Sequence, residues 1–169
     1  TFLTIEVTRD ISTSSKTIET PMESVQVSFL DQPVVVVAIL RAGMGMVEPV
    51  VSLLPDVSVG YVGMERDEAT AEARAYYSKL PDVNGKRVLV VDPMLATGGS
   101  AEQTLQQVYE AGADEVGFVC IVAAPEGVER LQRTFPHLTI CAAALDRELD
   151  SQKFILPGLG DFGDRLYGT

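Results

Sequence analysis

The sequence predicts one α/β domain, a mostly parallel, twisted sheet flanked by helices. Three observations carry that expectation. Residues 33–40 (PVVVVAIL) form an unbroken apolar run, as expected of a strand covered on both faces. Strand-like runs alternate with stretches of helical period, the order that right-handed crossovers produce. The 169 residues are 46% hydrophobic and 22% charged, enough to bury one sizeable core and too apolar for a disordered chain. No repeat, low-complexity tract or linker divides residues 1–169.

The run 33–40 ends at Arg41, and Gly43 and Gly45 sit over the start of a helix expected at 44–54. Residues 57–64 read as a second strand, followed by a charged stretch, 65–74, with little apolar period. A short strand is expected at 76–80 and another at 87–91, which delivers Asp92. Leu105, Val108 and Tyr109 share one face of a helix over 100–111. Ser100 with Gln103 matches a capping box at its start, and Gly112 is a natural stop. Residues 115–124 read as a buried strand, and Pro125 opens a helix ending near Phe135. A last central strand is expected at 138–145. Beyond Asp146, glycine and proline dominate.

The net charge of −11, with no Lys/Arg cluster, argues against a nucleic-acid binder, which needs a basic footprint. A few focused arginines can still hold a small anion. Cys120 and Cys141 lie in apolar runs without metal-ligand spacing and read as buried free thiols. No apolar stretch is long enough to span a bilayer and no signal peptide opens the chain, so a reducing cytoplasmic setting is expected. Thr1 is no natural start, which leaves room for a preceding segment.

Residues 88–100, VLVVDPMLATGGS, carry the clearest chemistry. A buried strand delivers an acid, then a loop of small residues, then a helix N-terminus. Backbone N–H groups of such a loop converge on an anion, and the helix dipole favours negative charge there. Gly98 and Gly99 permit close approach, Thr97 and Ser100 add hydroxyl donors, and Asp92 is placed to accept from vicinal ribose hydroxyls. The Gly-Lys-Ser/Thr of a Walker loop is absent, as is the dinucleotide pattern of spaced glycines. Arg41, at the end of a buried strand beside glycines, suits a phosphate that it can grip bidentately. Residues 154–165 (FILPGLGDFGDR) present glycine-rich backbone, which can match the alternating donors and acceptors of a flat heterocycle. His137, alone after Pro136, reads as a surface residue.

The loop resembles the phosphoribosyl-pyrophosphate (PRPP) loop of the type I phosphoribosyltransferases. That superfamily commonly places two adjacent acids before Ala-Thr-Gly-Gly-Ser. Here Pro93 and Met94 follow Asp92, and DPMLATGGS is similar to the uracil phosphoribosyltransferases. The resemblance implies the type I phosphoribosyltransferase fold with a flexible hood or β-arm at about 64–80. It implies pentosyl transfer from PRPP to uracil, giving UMP and pyrophosphate in pyrimidine salvage. On this basis PRPP is expected to contact Arg41, Arg66, Asp92, Pro93, Met94, Leu95, Ala96, Thr97, Gly98, Gly99, Ser100 and Asp161. Ile155, Gly160, Asp161 and Phe162 are expected at uracil. Phe162 replaces the alanine usual in bacterial relatives, which bears on pocket shape. Ala123-Ala124-Pro125-Glu126-Gly127 also matches the family. Arg41, Arg66, Asp92 and Asp161 are the expected catalytic set, with no residue required as a strong general base and none assigned as a metal ligand.

The resemblance further implies Mg2+ travelling with PRPP, GTP as an allosteric activator in some relatives, and a homodimer or higher oligomer. No nucleic-acid or membrane partner is expected. Two alternatives stay open: a transferase for another base, and a regulatory RNA-binding protein on the same fold. The second needs a basic face, and a gel shift with pyrimidine-operon leader RNA separates it from an enzyme.

Overall fold

The computed structural model describes residues 1–54, 56–66 and 73–169. Its centre is a sheet in which β3 (Val34–Leu40), β6 (Arg87–Val91) and β8 (Glu115–Ala123) run parallel. β4 (Ser58–Arg66) adds in parallel beside β3, and β9 (Thr139–Leu145) adds in parallel beside β8. The two-residue β7 (Met94–Leu95) continues the line of β6 along β8. The outer strand β5 (Ala73–Lys79) is antiparallel to β4, with a bulge at Gly63/Met64. Lateral order is therefore β5-β4-β3-β6-β8, with β9 on the free side of β8.

The apolar run of β3 divides between two cores. Val35, Val37 and Ile39 face one with Val88, Val90, Phe118, Leu105 and Leu131. Val34, Val36 and Ala38 face the other with Leu89, Val91 and Val50. Side chains of a strand alternate between faces, so only a sheet covered on both sides needs an unbroken apolar run. Helices α3 (Gly99–Glu110) and α4 (Pro125–Thr134) cover the first face, and α1 (Phe2–Val7) and α2 (Val47–Leu53) the second. Arg87 is 9% exposed at the start of β6, where it pairs with Asp10 and Glu115 and donates to the Val7 carbonyl.

Four expectations change. The chain after β3 enters a 3-10 turn, Ala42–Met46, before α2, so the helix expected at 44–54 begins as a tighter coil. Helix α3 starts at Gly99 with left-handed Gly98 as its N-cap (φ 77°). Ser100 is then the second helical residue rather than the N-cap, so the capping box is out of register, and the Gly99 amide donates to Thr97 Oγ1 at 3.5 Å. β9 is an edge strand rather than a central one, because among the described residues only β8 pairs with it, and Leu145 is 64% exposed. Cys141 on it is only half-buried, whereas Cys120 is buried. The hairpin of β1 (Thr13–Glu19) and β2 (Ser24–Leu30) and the terminal helix α5 (Phe162–Tyr167) were not among the expected elements, although Val25, Val27 and Phe29 alternate along β2. The expected arm at about 64–80 forms as the β4–β5 pair where described; the segment 67–72 and the Arg66 side chain lie outside the described residues.

Candidate active site

Connections from β3 run outward through α2 to β4, while those from β6 run the other way through α3 to β8. The adjacent strands β3 and β6 thus flank the switch point of the sheet, where open α/β folds leave a crevice beyond the strands' carboxyl ends. Arg41 follows β3 and Asp92 follows β6. The two loops touch: a Cβ on Gly43 would stand 2.5 Å from the Val91 carbonyl oxygen.

Backbone bonds to β8 hold the second loop. The Asp92 amide donates to Val119 O at 3.1 Å, and Ile121 and Val122 both donate to Pro93 O. The Ala124 amide donates to Leu95 O at 2.8 Å. From there the loop runs through Ala96 and Thr97 to Gly98, and the first turn of α3 presents amides that have no acceptor within the helix. Its other wall is α4, where a Cβ on Gly127 would strike the Ala96 carbonyl oxygen and come within 3.0 Å of Leu95 Cγ. Glu102 on α3 accepts from Arg130 Nε at 2.7 Å and Thr134 Oγ1 at 2.6 Å on α4, locking the two helices beside the loop. Sequence reasoning underestimated Gly127; the signal was a glycine placed two residues after a helix-opening proline.

The third segment closes the crevice. β10 (Glu148–Leu149) and β11 (Ile155–Leu156) make a small hairpin, and Leu149 N–H donates to Glu126 Oε1 at 2.9 Å. Asp146 accepts from Gly158 N–H at 2.9 Å, and left-handed Gly158 and Gly160 bend the chain back. Asp161 caps α5 by accepting from the Asp164 amide at 3.0 Å. A cavity of roughly 220 Å³ remains between Ala42 of the first loop, Met94 and Ala96 of the second, and Ile155, Gly160, Asp161 and Phe162 of the third. That is below the roughly 300–1,000 Å³ of drug-sized pockets, so it suits one small ring. All four residues expected at a heterocycle line it.

Burial, opposed by a hydrogen bond from the Met94 amide and helped by the nearby Asp161 charge, pushes Asp92 up from its ordinary 3.8 to about 7. Two carboxylates from segments 69 positions apart in sequence are thus held in one electrostatic neighbourhood. The same burial pushes the Cys120 thiol up to about 12 and raises Cys141 less. An alkylating thiol reagent at pH 8 is therefore expected to label Cys141 in the folded protein, and Cys120 only after denaturation. Labelling of Cys120 first would contradict the packing described.

A larger cavity of about 500 Å³ lies among Asp10, Arg87, Asp114, Glu115 and exposed His137, at the opposite ends of the strands. Its one buried cation, Arg87, is paired through its terminal nitrogens with Asp10 and Glu115, while Nε has no hydrogen-bond partner; the acidic lining of Asp10, Asp114 and Glu115 disfavours an anion there. His137 stands where a surface residue was expected.

A family model described as uracil phosphoribosyltransferase matches residues 1–169. The chain is 47% identical to the uracil phosphoribosyltransferase of Levilactobacillus brevis, over 100% of this chain and 82% of that protein. It is 48% identical to that of Salinibacter ruber, over 99% and 80%. Among solved structures, the AQ2163 protein of Aquifex aeolicus superposes with a TM-score of 0.94 at 38% identity, covering 99% of this chain and 81% of that one. A Bacillus anthracis hypoxanthine-guanine phosphoribosyltransferase, at 16% identity and a TM-score of 0.56, shares the fold. With the model matching every residue and near-half identity along the whole length, the chain belongs to the uracil phosphoribosyltransferase family.

Proposed function

We propose that this chain transfers the 5-phosphoribosyl group of PRPP to uracil, releasing UMP and pyrophosphate. The observation that carries the reading is the meeting of three loops at the switch point. One brings an arginine, one an anion-binding helix start behind a half-buried carboxylate, and one a glycine-containing slot for a single ring. The family's named relatives supply the base.

In this reading the 5-phosphate rests on the amides and hydroxyls of Thr97, Gly98, Gly99 and Ser100, with Pro93, Met94, Leu95 and Ala96 shaping the approach. Asp92 accepts from the ribose hydroxyls, Asp161 stands between ribose and base, and Arg41 with Arg66 meets the leaving pyrophosphate. Charge develops at the ribose C1 as pyrophosphate departs. Catalysis therefore rests on positioning and on fixed charges rather than on a strong base. Uracil lies against Ile155, Gly160, Asp161 and Phe162. Its recognition by backbone tolerates Phe162, which lines the slot. Residues 1–169 act as one domain, with residues 64–80 as the hood.

Magnesium carried on pyrophosphate needs only one or two protein carboxylates. Asp92 and Asp161 can supply them, and no group of three or more His, Cys, Asp or Glu side chains gathers for a metal among the described residues. When bound, the ion would share the negative charge of the leaving group. GTP as activator, assembly as a dimer or larger oligomer, and a cytoplasmic location belong to the same reading. Free Cys120 and Cys141 suit a reducing setting, and no described helix is long and apolar enough to cross a membrane.

The test is direct: purified protein with Mg2+, PRPP and uracil should form UMP and pyrophosphate in equal amounts. Hydrolysis of PRPP without nucleotide formation would remove the transferase reading. A pH profile adds a second check. Ionised Asp92 is the form that accepts from both hydroxyls, so kcat/KM for PRPP should rise through about 7 and level above it. A profile flat from pH 5.5 to 8.5 would detach Asp92 from the ribose.

A further inference from the structure

The terminal helix α5 does more than follow the base loop. Asp164 Oδ1 accepts from Arg41 Nη2 at 3.1 Å, closing an ion pair between α5 and the loop after β3. The Thr169 hydroxyl lies 3.5 Å from both Nη1 and Nη2 of Arg41 and donates to Asp164 Oδ1 at 3.2 Å. Tyr167 grips the same residue from the other side: its hydroxyl donates to the Arg41 carbonyl at 3.1 Å, and its ring centre lies 6.0 Å from the guanidinium carbon. The seam between the two segments is close. A Cβ on Gly45 would stand 2.9 Å from Leu166, and one on Gly163 would stand 3.9 Å from Ala42.

Both Arg41 and Asp164 have about half of their side-chain surface exposed, so their pairing adds little to stability. Its consequence is geometric. A guanidinium has five donors in a rigid fork; Asp164 Oδ1 engages one on Nη2, and Thr169 Oγ1 meets Nη1 and Nη2 at 3.5 Å. The remainder stay available to an anion while the fork is held at one orientation. The helix that does the holding starts at Asp161, the residue that also lines the ring cavity.

We propose that Asp164, supported by Tyr167, is a positioning residue for Arg41 and links the base loop to the leaving-group site. This rests on the reading of Arg41 as a pyrophosphate ligand. Arg41 arrives already aimed, so the entropy of ordering its long side chain is spent on folding and not on binding. Because Asp161 and Asp164 share one turn of α5, a base seated at Asp161 steadies the same helix that aims Arg41.

The test compares Asp164→Asn, Asp164→Glu, Tyr167→Phe and Arg41→Ala in steady-state kinetics and pyrophosphate product inhibition, with thermal midpoints recorded for each. Asp164→Asn should raise KM for PRPP and the inhibition constant of pyrophosphate about fivefold, as expected for loss of a half-exposed charged pair. KM for uracil and the thermal midpoint should hold, and Asp164→Glu should recover most of the loss. Tyr167→Phe should shift the same two constants by a smaller factor. If Arg41→Ala weakens PRPP binding and Asp164→Asn does not, the proposal is overturned while the role of Arg41 stands. If Arg41→Ala itself leaves PRPP and pyrophosphate untouched, the reading beneath it fails. Tighter pyrophosphate binding in Asp164→Asn would make Asp164 a competitor for Arg41 and overturn positioning. A joint loss of uracil and PRPP affinity with a lowered midpoint would mean that Asp164 only builds α5, and would overturn it too.

Discussion

Replacing Asp92 with asparagine should reduce kcat/KM for PRPP by roughly two orders of magnitude, since hydrogen bonds to a charged acceptor contribute about 1.5–3 kcal/mol each. KM for uracil should move little, because the ring cavity is lined by Met94 and the third segment and not by Asp92. The same change should stabilise the fold. The folded carboxyl binds its proton near pH 7 and the unfolded one near 3.8. Between those values the native state holds more protons, so stability falls as pH rises through the window. Above about 7 the ionised, poorly solvated Asp92 therefore lowers stability, and asparagine removes that penalty. Asp92→Asn is expected to melt several degrees above the parent at pH 8, with the gap closing as pH falls towards 4. Equal midpoints at pH 8 with unimpaired PRPP use would contradict both roles. A residue that weakens the empty fold and strengthens the loaded one is the trade expected where a site needs a charge in a poorly solvated place.

Gly127→Ala should be nearly as damaging by a different route. Its Cβ would meet the Ala96 carbonyl oxygen and the Leu95 side chain, both in the loop that cradles phosphate. Leu95 cannot yield easily: it is 1% exposed, and its carbonyl oxygen, 3.1 Å from the added Cβ, is tied to the Ala124 amide. Overpacking of this kind costs about 1–3 kcal/mol, and here relief requires α4 to move away from the loop. A loss of PRPP affinity of tenfold or more is expected, with a lowered thermal midpoint, because displacement of about 1 Å in a positioned site is severe. Wild-type kinetics in this variant would mean that α4 does not set the loop's width.

The contrast between these residues shows what the sequence could reveal. Asp92 and the Thr97–Gly98–Gly99–Ser100 stretch were legible because their chemistry is local: strand, acid, small loop and helix start follow one another. The central strands were legible for a similar reason, since a sheet covered on both faces forces apolar residues at consecutive positions. Gly127 was not, because its purpose is an approach between backbones about 30 positions from Ala96, and nothing in its neighbours announces that. The pairing of Arg41 with Asp164, 123 positions apart, was equally hidden. β1 and α5 carry too little apolar pattern to be read, whereas the alternation of Val25, Val27 and Phe29 made β2 legible as a strand with one apolar face. The capping box failed because Gly98, in a left-handed conformation that glycine adopts readily, caps the helix two residues sooner than serine chemistry suggested.

Specificity between bases tests the central claim most directly. The enzyme should be given PRPP, Mg2+ and each of uracil, cytosine, adenine, hypoxanthine and orotate in turn, with kcat/KM for nucleotide formation recorded for every base. A slot of roughly 220 Å³ should accept uracil and reject the two-ring purines by size. It should reject cytosine by unpaired hydrogen-bonding groups, a penalty that reaches about 10⁴-fold where a site is built for one donor–acceptor pattern. UMP as the dominant product is the expected result. A purine or orotate nucleotide as the dominant product, with uracil left unconsumed, would contradict it.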